Sequence, residues 1–592
     1  MLRSFVLAVL TLATIGSPLA QALEIREKRW GFDGRVRGGR FNVLSILVSN
    51  PGAHNFEGQF VLEDRRGLEK SVGAPTVQPV FLSAGTQRWV QFHVFINQPG
   101  GHWNLRWGKG PREYEQIDGA QFAAPARVLL VDPDSPFAAP GGLRAFPEDL
   151  LPTTVAAMDA LEAVALDHAP RWETVRREAF LDWLRAGGTV HLLRGADGQF
   201  PQFSDTLAIL NVSSERTRLG AGLIVRHEAT RTEMNEMYLG SHGFPAPELK
   251  TDGSPHVYNL ESQLLQKLAA LTKPAIAWWL IYLLTAGYIV VVGPLHYRWS
   301  KRLPYLRSIA LLIAVVLAFG SAFAFAGRRG ANEKQQVNAL AIAHSLGNGR
   351  HDVTEWISAF AKRGDLYKLT HAAPANLYST ATESDSVNGA IINGREGRFE
   401  VDIPLFSTRP FIHRGVLQGD RTEVNVSDWQ TDAVGKLSSL VVIPSEGSLK
   451  TFTHAWVRHE NWFYKMKPDG TRSDGTRWVL DTTSGQTTSE FVSEKYFGEL
   501  KLYSWRPPFW FGPGDEDERK DETWFERAGP LLIARALGTV EGLPNVVKRP
   551  PPPSDQIQLF LYAALPEGFR VQDKRFGKQE GRVLYWQDLF KP

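Results

Sequence analysis

The sequence predicts a multidomain α/β plus β protein: a β-sandwich, a parallel α/β unit, a two-helix transmembrane hairpin and a β-rich C-terminal region. Three observations predict it. Two charge-free apolar stretches, Pro274 to Pro294 and Ser308 to Ala326, lie near the middle of the 592 residues. Short segments with strand periodicity occupy much of the chain on either side of them, and one segment between them and the start alternates strand and helix. With 43% apolar residues and charges of both signs, the chain has material for several cores.

The chain opens with the three parts of a secretory signal peptide over residues 1–22. Arg3 supplies the charge, Phe5 to Ile15 the apolar run, and Ala20-Gln21-Ala22 a small-x-small cleavage site. From 23 to 125, strand-like runs end in turn residues, as Phe41 to Val48 does at Asn50-Pro51-Gly52. In Trp89 to Ile96, the residues Val90, Phe92, Val94 and Ile96 alternate with Trp89, Gln91, His93 and Phe95, so the two sets face opposite sides of a sheet. This pattern reads as a β-sandwich resembling an immunoglobulin-like domain.

Over 126–258 the period changes. Arg127 to Val131 and Leu161 to Asp167 are short buried strands; Trp172, Val175, Ala179, Trp183 and Leu184 fall at helical spacing; Gly187-Gly188 ends that helix before a strand at Thr189 to Leu193. Strand, helix, strand in this rhythm implies a parallel sheet with covering helices. Residues 274–294 and 308–327 then form membrane helices, since roughly 20 residues match a hydrocarbon core about 30 Å thick. The turn between them, 295–307, carries Arg298, Lys301, Arg302 and Arg307 and no acid, as expected of a cytoplasmic loop. Residues 335–592 read mainly as strands, with a helix over Asp521 to Leu537 that Gly529-Pro530 should kink or split.

Composition excludes several chemistries. The chain has no cysteine, which removes disulfides, thiolate metal sites and cysteine nucleophiles. A net charge of +3 offers no concentrated basic face for nucleic acid. His454, His459 and Glu460 lack the spacing that sets two imidazoles on one helical face, and the acidic run around Asp515 to Asp517 lacks the order of a calcium loop. No metal, cofactor or catalytic residue is assigned. The ligand-binding candidates are Asp132, Asp134 and Ser135, at the carboxyl edge of a strand, and Trp462, Trp505 and Trp510, which if exposed would stack on sugar rings.

The run DALEAVALDHAPRWETVRREAFLDWLRAGGTVHLL, followed by LGAGLIVRHE, resembles the class I glutamine amidotransferase-like fold. True amidotransferases place a cysteine on a tight strand-to-helix elbow, and this chain has none. Together with YIVVVGPLHYRWSKRLPYLR, Tyr288 to Arg307, the order of parts resembles a family of bacterial envelope membrane proteins whose amidotransferase-like domain lacks the catalytic cysteine. That resemblance implies an accessory component of a membrane assembly with membrane or envelope protein partners; proteins of this kind are sometimes associated with AAA ATPase and von Willebrand-type partners. The expectation is a non-catalytic protein of the cell membrane, the inner one in a Gram-negative cell. The lipid bilayer holds its hairpin, and most of the chain is extracytoplasmic and binds a partner or ligand. The alternative is a cell-envelope hydrolase or glycan-binding protein.

Overall fold

A computed structural model of the chain describes residues 23–66, 70–97, 100–110, 113–132, 142–246, 259–272, 278–328, 334–380, 386–449, 452–469, 477–491, 522–537 and 551–591. Residues 1–22, Asp134, Ser135, Trp505, Trp510 and the acidic run at Asp515 to Asp517 lie outside the described residues. The fold is mixed α/β and rich in strands.

Seven strands come first: β1 (Glu24–Trp30), β2 (Arg40–Ser49), β3 (Phe56–Arg66), β4 (Lys70–Leu82), β5 (Gln87–Ile96), β6 (His102–Arg106) and β7 (Tyr114–Asp118). They form two antiparallel layers, β1-β2-β5 and β4-β3-β6-β7. Leu44, Ile46 and Val48 of β2 and Val90, Phe92 and Val94 of β5 share one core with Phe60 and Leu62 of β3. The alternation in β5 therefore sorts its residues as the sequence implies. Its second face is also covered: Phe95 joins a separate central core, Trp89 packs on the α/β core, and His93 is buried.

The next sheet contains β8 (Ala126–Val131), β9 (Arg144–Pro147), β10 (Leu161–Leu166), β11 (Thr189–Arg194), β12 (Arg216–Leu219) and β13 (Gly222–Thr230). In space β9, β8, β10, β11 and β13 lie side by side and parallel, with β12 antiparallel at the edge. Helix α1 (Thr174–Arg185) connects β10 to β11 and buries Phe180, Trp183 and Leu184 against the sheet. Trp172 lies just before the helix, its ring 5.0 Å from that of Phe180. Gly187 ends α1 with φ of 113°, a conformation that disfavours a side chain, and its N–H donates to Leu184 O while that of Gly188 donates to Trp183 O. From β8 the chain moves to β9 on one side and then to β10 on the other. The carboxyl ends of β8 and β10 thus flank the point where strand order reverses, where open α/β sheets place their ligands.

Helices α2 (Glu236–Ser241) and α3 (Asn259–Thr272) lead to the hairpin: α4 (Trp278–Val290), one π-helical turn (Val291–Leu295), α5 (His296–Ser300) and α6 (Tyr305–Arg328). Two stretches, Leu280–Ser300 and Tyr305–Ala324, are long and apolar enough to cross a membrane, and neither is buried by the rest of the protein. The basic turn expected over 295–307 is shorter in the structure, because helix continues to Ser300 and resumes at Tyr305. The physical reason is local. Pro294 has no N–H to donate and would break a regular α-helix, but it sits inside the π-helical turn, where the wider hydrogen-bond spacing accommodates it.

Beyond the hairpin are β14 (Gln336–Gly347), β15 (Arg350–Ala361), β16 (Asp365–Leu369), β17 (Asn376–Ser379), β18 (Gly389–Ile392), β19 (Arg398–Ile403), β20 (Ser407–Gln418), β21 (Val424–Thr431), β22 (Leu437–Pro444), β23 (His454–His459), β24 (Trp462–Pro468), β25 (Trp478–Thr487), β26 (Gln556–Ala564) and β27 (Lys578–Phe590). Eleven of them make one sheet, ordered β17-β20-β15-β14-β27-β26-β23-β24-β25-β22-β21. The other three, β16-β19-β18, join β4 through the bridge between Ile391 and Thr76. Regions that the sequence sets apart on either side of the hairpin thus share a sheet. The helix expected over Asp521 to Leu537 is split at Ala528 into Glu522–Arg527 and Gly529–Leu537, as the Gly-Pro pair implies.

A central core unites these parts. Phe41 and Phe95, Ala156 and Ala157, Leu264 and Leu268 of α3, Trp356 and Ile412, and Leu531 and Leu532 all belong to it. Polar contacts reinforce the joint. Arg535 Nε donates to Glu261 Oε1 at 2.6 Å, the Trp356 indole donates to the other oxygen of Glu261, and Arg218 pairs with Asp555 at 3.1 Å.

Candidate functional site

The parallel sheet brings Asp132, Glu148, Asp167, His168 and Arg231 to one edge. Asp132 follows β8, Glu148 follows β9, Asp167 and His168 follow β10, and Arg231 follows β13. His168 is held from both sides, with Nδ1 2.9 Å from Asp167 Oδ1 and Nε2 2.9 Å from Glu148 Oε2. Arg231 forks onto the Asp167 carboxylate, its Nη2 donating to Oδ1 at 2.9 Å. The backbone N–H of Arg171 donates to Glu148 Oε1 at 3.1 Å, and the Arg171 guanidinium stands 3.7 Å from Asp132.

Electrostatics follow from this geometry. Burial acts to lower the His168 pKa, and the hydrogen bonds to Asp167 and Glu148 overcome it, raising it to about 9. Burial acts to raise that of Asp167, and the bonds from His168 and Arg231 overcome it, holding it below the usual carboxylate range. His168 is therefore a cation at neutral pH with both nitrogens engaged, and neither offers the lone pair that a general base needs. A cleft of about 490 Å³ opens beside the cluster, lined by Asp167, His168, Gly195, Asp197, Gln199 and Phe200 among others. Phe200 lies against two guanidinium groups, those of Arg226 at 3.9 Å and Arg194 at 5.0 Å. The cleft thus has polar and aromatic surface, and among the described residues its lining contains no serine or threonine to act as a nucleophile.

A second cluster is wholly enclosed. Glu355 on β15 and His413 on β20 are directly opposed across the two strands, with His413 Nδ1 2.7 Å from Glu355 Oε2. His371, in the connection between β16 and β17, places Nε2 3.5 Å from the same oxygen and stacks on His413 with centroids 3.7 Å apart. All three side chains are shielded from solvent. Burial pushes the Glu355 carboxyl up well above its ordinary range, pulls His371 down to about 3, and, together with His371 itself, pulls His413 well down. Among the described residues this is the cluster whose ligand atoms lie close enough together to hold a metal ion.

Of the residues singled out from sequence, Asp132 joins the carboxyl-edge cluster through Arg171. Trp462 does not: it begins β24, packs against the C-terminal core, and has Lys436 Nζ 3.6 Å from its ring centroid. Asp134, Ser135, Trp505 and Trp510 lie outside the described residues. Sequence reasoning missed Glu148, His168 and Arg231; the strand expected over Leu161 to Asp167 ends at Leu166 in the structure, and His168, which follows the expected strand, carried the same signal as Asp132. It also missed Glu355, His371 and His413, which no local motif links.

No protein-family model matches the chain, and no curated protein matches it. Among solved structures, it is similar at a TM-score of 0.14 and 11% identity to a Pseudomonas fluorescens alkylpurine DNA glycosylase bound to DNA, over 18% of this chain and 33% of that one. A β-glucosidase from Listeria innocua aligns at a TM-score of 0.13 and 13% identity, over 17% of this chain and 15% of the glucosidase. A cycloisomaltooligosaccharide glucanotransferase from Paenibacillus sp. aligns over 78% of this chain and 98% of its own length, at a TM-score of 0.17 and 10% identity. At these scores none of the three likenesses carries an argument about function.

Proposed function

We propose that this chain is a non-catalytic, membrane-anchored envelope protein whose extracytoplasmic part binds a partner or ligand as an accessory component of a membrane assembly. The observation that carries the reading is the joint between the regions before and after the hairpin. They share the strand bridge between Thr76 and Ile391, the central core and the pair between Arg218 and Asp555. Two segments that pack so extensively must lie on the same side of a membrane, and a hairpin that crosses and returns delivers them there. The signal-peptide pattern at residues 1–22 and the basic turn between the helices favour the outer face for that body.

In this reading residues 23–125 form an immunoglobulin-like sandwich and the parallel sheet is an amidotransferase-like unit without its cysteine. The carboxyl edge of that sheet, with its open cleft, is the surface that meets the ligand. The engagement of both His168 nitrogens favours binding over general-base hydrolysis at this cleft. Affinity purification of the full-length protein from native membranes in mild detergent, with mass spectrometry of what stays bound, tests the role. Recurrent recovery of one membrane or ATPase partner, lost when the cleft is altered by Phe200→Ala and Arg226→Ala, is the expected result. Recovery of the protein alone, with turnover of an envelope glycan by the purified chain, would overturn it.

A further inference from the structure

We infer that Glu355, His371 and His413 form a structural site for a divalent transition metal, with zinc the ion that fits a donor set of two imidazoles and a carboxylate. The inference is independent of the reading above and rests on the hydrogen bonds around the three side chains. Asn376 fixes the first tautomer. Its Nδ2 donates to the His371 carbonyl at 3.3 Å, so its Oδ1, 2.8 Å from His413 Nε2, must accept. His413 therefore carries its proton on Nε2 and turns the lone pair of Nδ1 toward Glu355.

His371 is compatible with the same arrangement, its Nδ1 facing a hydroxyl that can accept as well as donate. Its Nδ1 lies 2.9 Å from the Tyr378 hydroxyl, and a proton there leaves the Nε2 lone pair facing Glu355. In that tautomer each imidazole has an outer partner on one nitrogen and a free lone pair on the other, which is how protein ligands are oriented around an ion. Two atoms at the centre are unsatisfied: Glu355 Oε1 and His371 Nε2 are buried and make no hydrogen bond. Leaving such atoms unpaired is costly, and an ion bound by both carboxylate oxygens and both imidazoles would satisfy them with four donors.

The separations are close to what an ion needs. The three ligand atoms lie within 4.8 Å of one another, and those from Glu355 Oε2 to the two imidazoles, 2.7 and 3.5 Å, bracket the roughly 3 Å edge of a site with bonds near 2 Å. One adjustment is required. Two imidazoles on one ion have centroids roughly 5 Å apart and each ring plane contains the ion, so the rings, now stacked at 3.7 Å with 11° between their planes, must part by about 1 Å and turn out of the stack. The ligands come from β15, β20 and the connection between β16 and β17, and the ion would fasten these three together. Because the cluster is sealed from solvent, it would be filled as the chain folds.

The test is metal content of the full-length protein, expressed with zinc supplied, purified in detergent without a histidine tag and dialysed before elemental analysis. About one zinc per chain is expected, with an X-ray absorption edge showing a shell of imidazole and carboxylate donors. The double variant His371→Ala/His413→Ala should lose at least nine-tenths of the metal. Where that variant does not fold, the wild-type protein decides: strong chelation should lower its melting temperature and zinc should restore it. Folded wild-type protein that holds less than a tenth of an equivalent, or metal retained in full by the folded double variant, or a shell without imidazole, would overturn the site.

Discussion

Arg414 on β20 is ion-paired with Asp159, which precedes β10, so a buried charge pair links the chain beyond the hairpin to the parallel sheet ahead of it. A second carboxylate, Asp352 on β15, meets the same guanidinium at 2.6 Å. Both acids and the arginine are nearly dry, with side-chain exposures of 14%, 10% and 7% for Asp159, Asp352 and Arg414. Removing one partner from such a set leaves charge buried and unpaired.

Arg414→Met should therefore destabilise the protein by about 3–5 kcal/mol, read as a lower urea midpoint for the detergent-solubilised chain. Adding Asp159→Asn and Asp352→Asn to that variant should recover a large part of the loss, because the stranded charges are then gone. A neutral Arg414→Met would show that the joint does not bear on stability.

The strand bridge between Thr76 and Ile391 makes a covalent prediction. Backbones paired in a sheet lie within the separation a disulfide spans, and the chain has no cysteine of its own to compete. Thr76→Cys/Ile391→Cys should form an intramolecular disulfide under mild oxidation, visible as a reducible mobility shift or by peptide mapping. A pair that stays reduced while the protein is folded would place the two strands apart.

His168 predicts a pH dependence. Its folded pKa of about 9 lies above the ordinary 6.5, so its stabilisation is complete below about pH 6.5 and is lost as pH rises through 9. Asp167 has the opposite sense: held low in the fold, it contributes above its ordinary 3.8 and loses that contribution as pH falls. Melting temperature should decline between pH 7 and 10 in the wild type, and His168→Gln should flatten that decline. An imidazole that titrates near 6.5 by NMR would contradict the clamp.

Gly222 tests how closely α1 sits on the sheet. A Cβ there would stand 1.8 Å from the Leu184 carbonyl oxygen and 2.8 Å from that of Gly188, both backbone atoms that cannot swing aside. Gly222→Ala should cost about 3 kcal/mol, whereas Gly240→Ala, with nothing within 4 Å and a place in helix α2, should be neutral or stabilising by up to about 1 kcal/mol. Equal melting temperatures for the two variants would contradict the close packing.

Local periodicity carries a good part of this architecture. The alternation at Val90, Phe92 and Val94, the helix around Ala179 and Trp183, the break at Gly529-Pro530 and the apolar hairpin are each properties of a few neighbouring residues, and pattern reveals them. What pattern cannot hold is the pairing of distant segments. Nothing near Ile391 points to Thr76, and nothing in the alternation of β5 says that His93 and Phe95 are covered by other parts of the chain. Pro294 marks a helix break in sequence, and only the π-helical turn absorbs it. The candidate site divides in the same way. Asp132 is legible because it follows a buried strand, while His168 gains its character from Glu148, which the fold brings from the end of a different strand. Glu355 and His413 meet through sheet register, and His371 reaches them from the connection between β16 and β17.

The central claim of the proposed function is that the described residues before and after the hairpin form one body on the outer side of the membrane. Because the chain lacks cysteine, single-cysteine labelling with a membrane-impermeant maleimide on spheroplasts reads it directly. Met237 and Val434, before and after the hairpin, are 82% and 79% exposed, and Leu303 lies in the turn between the helices. Met237→Cys and Val434→Cys should both label on intact spheroplasts, and Leu303→Cys only after the membrane is opened. Labelling of Leu303→Cys together with either of the others, or of just one of Met237→Cys and Val434→Cys, would contradict the account.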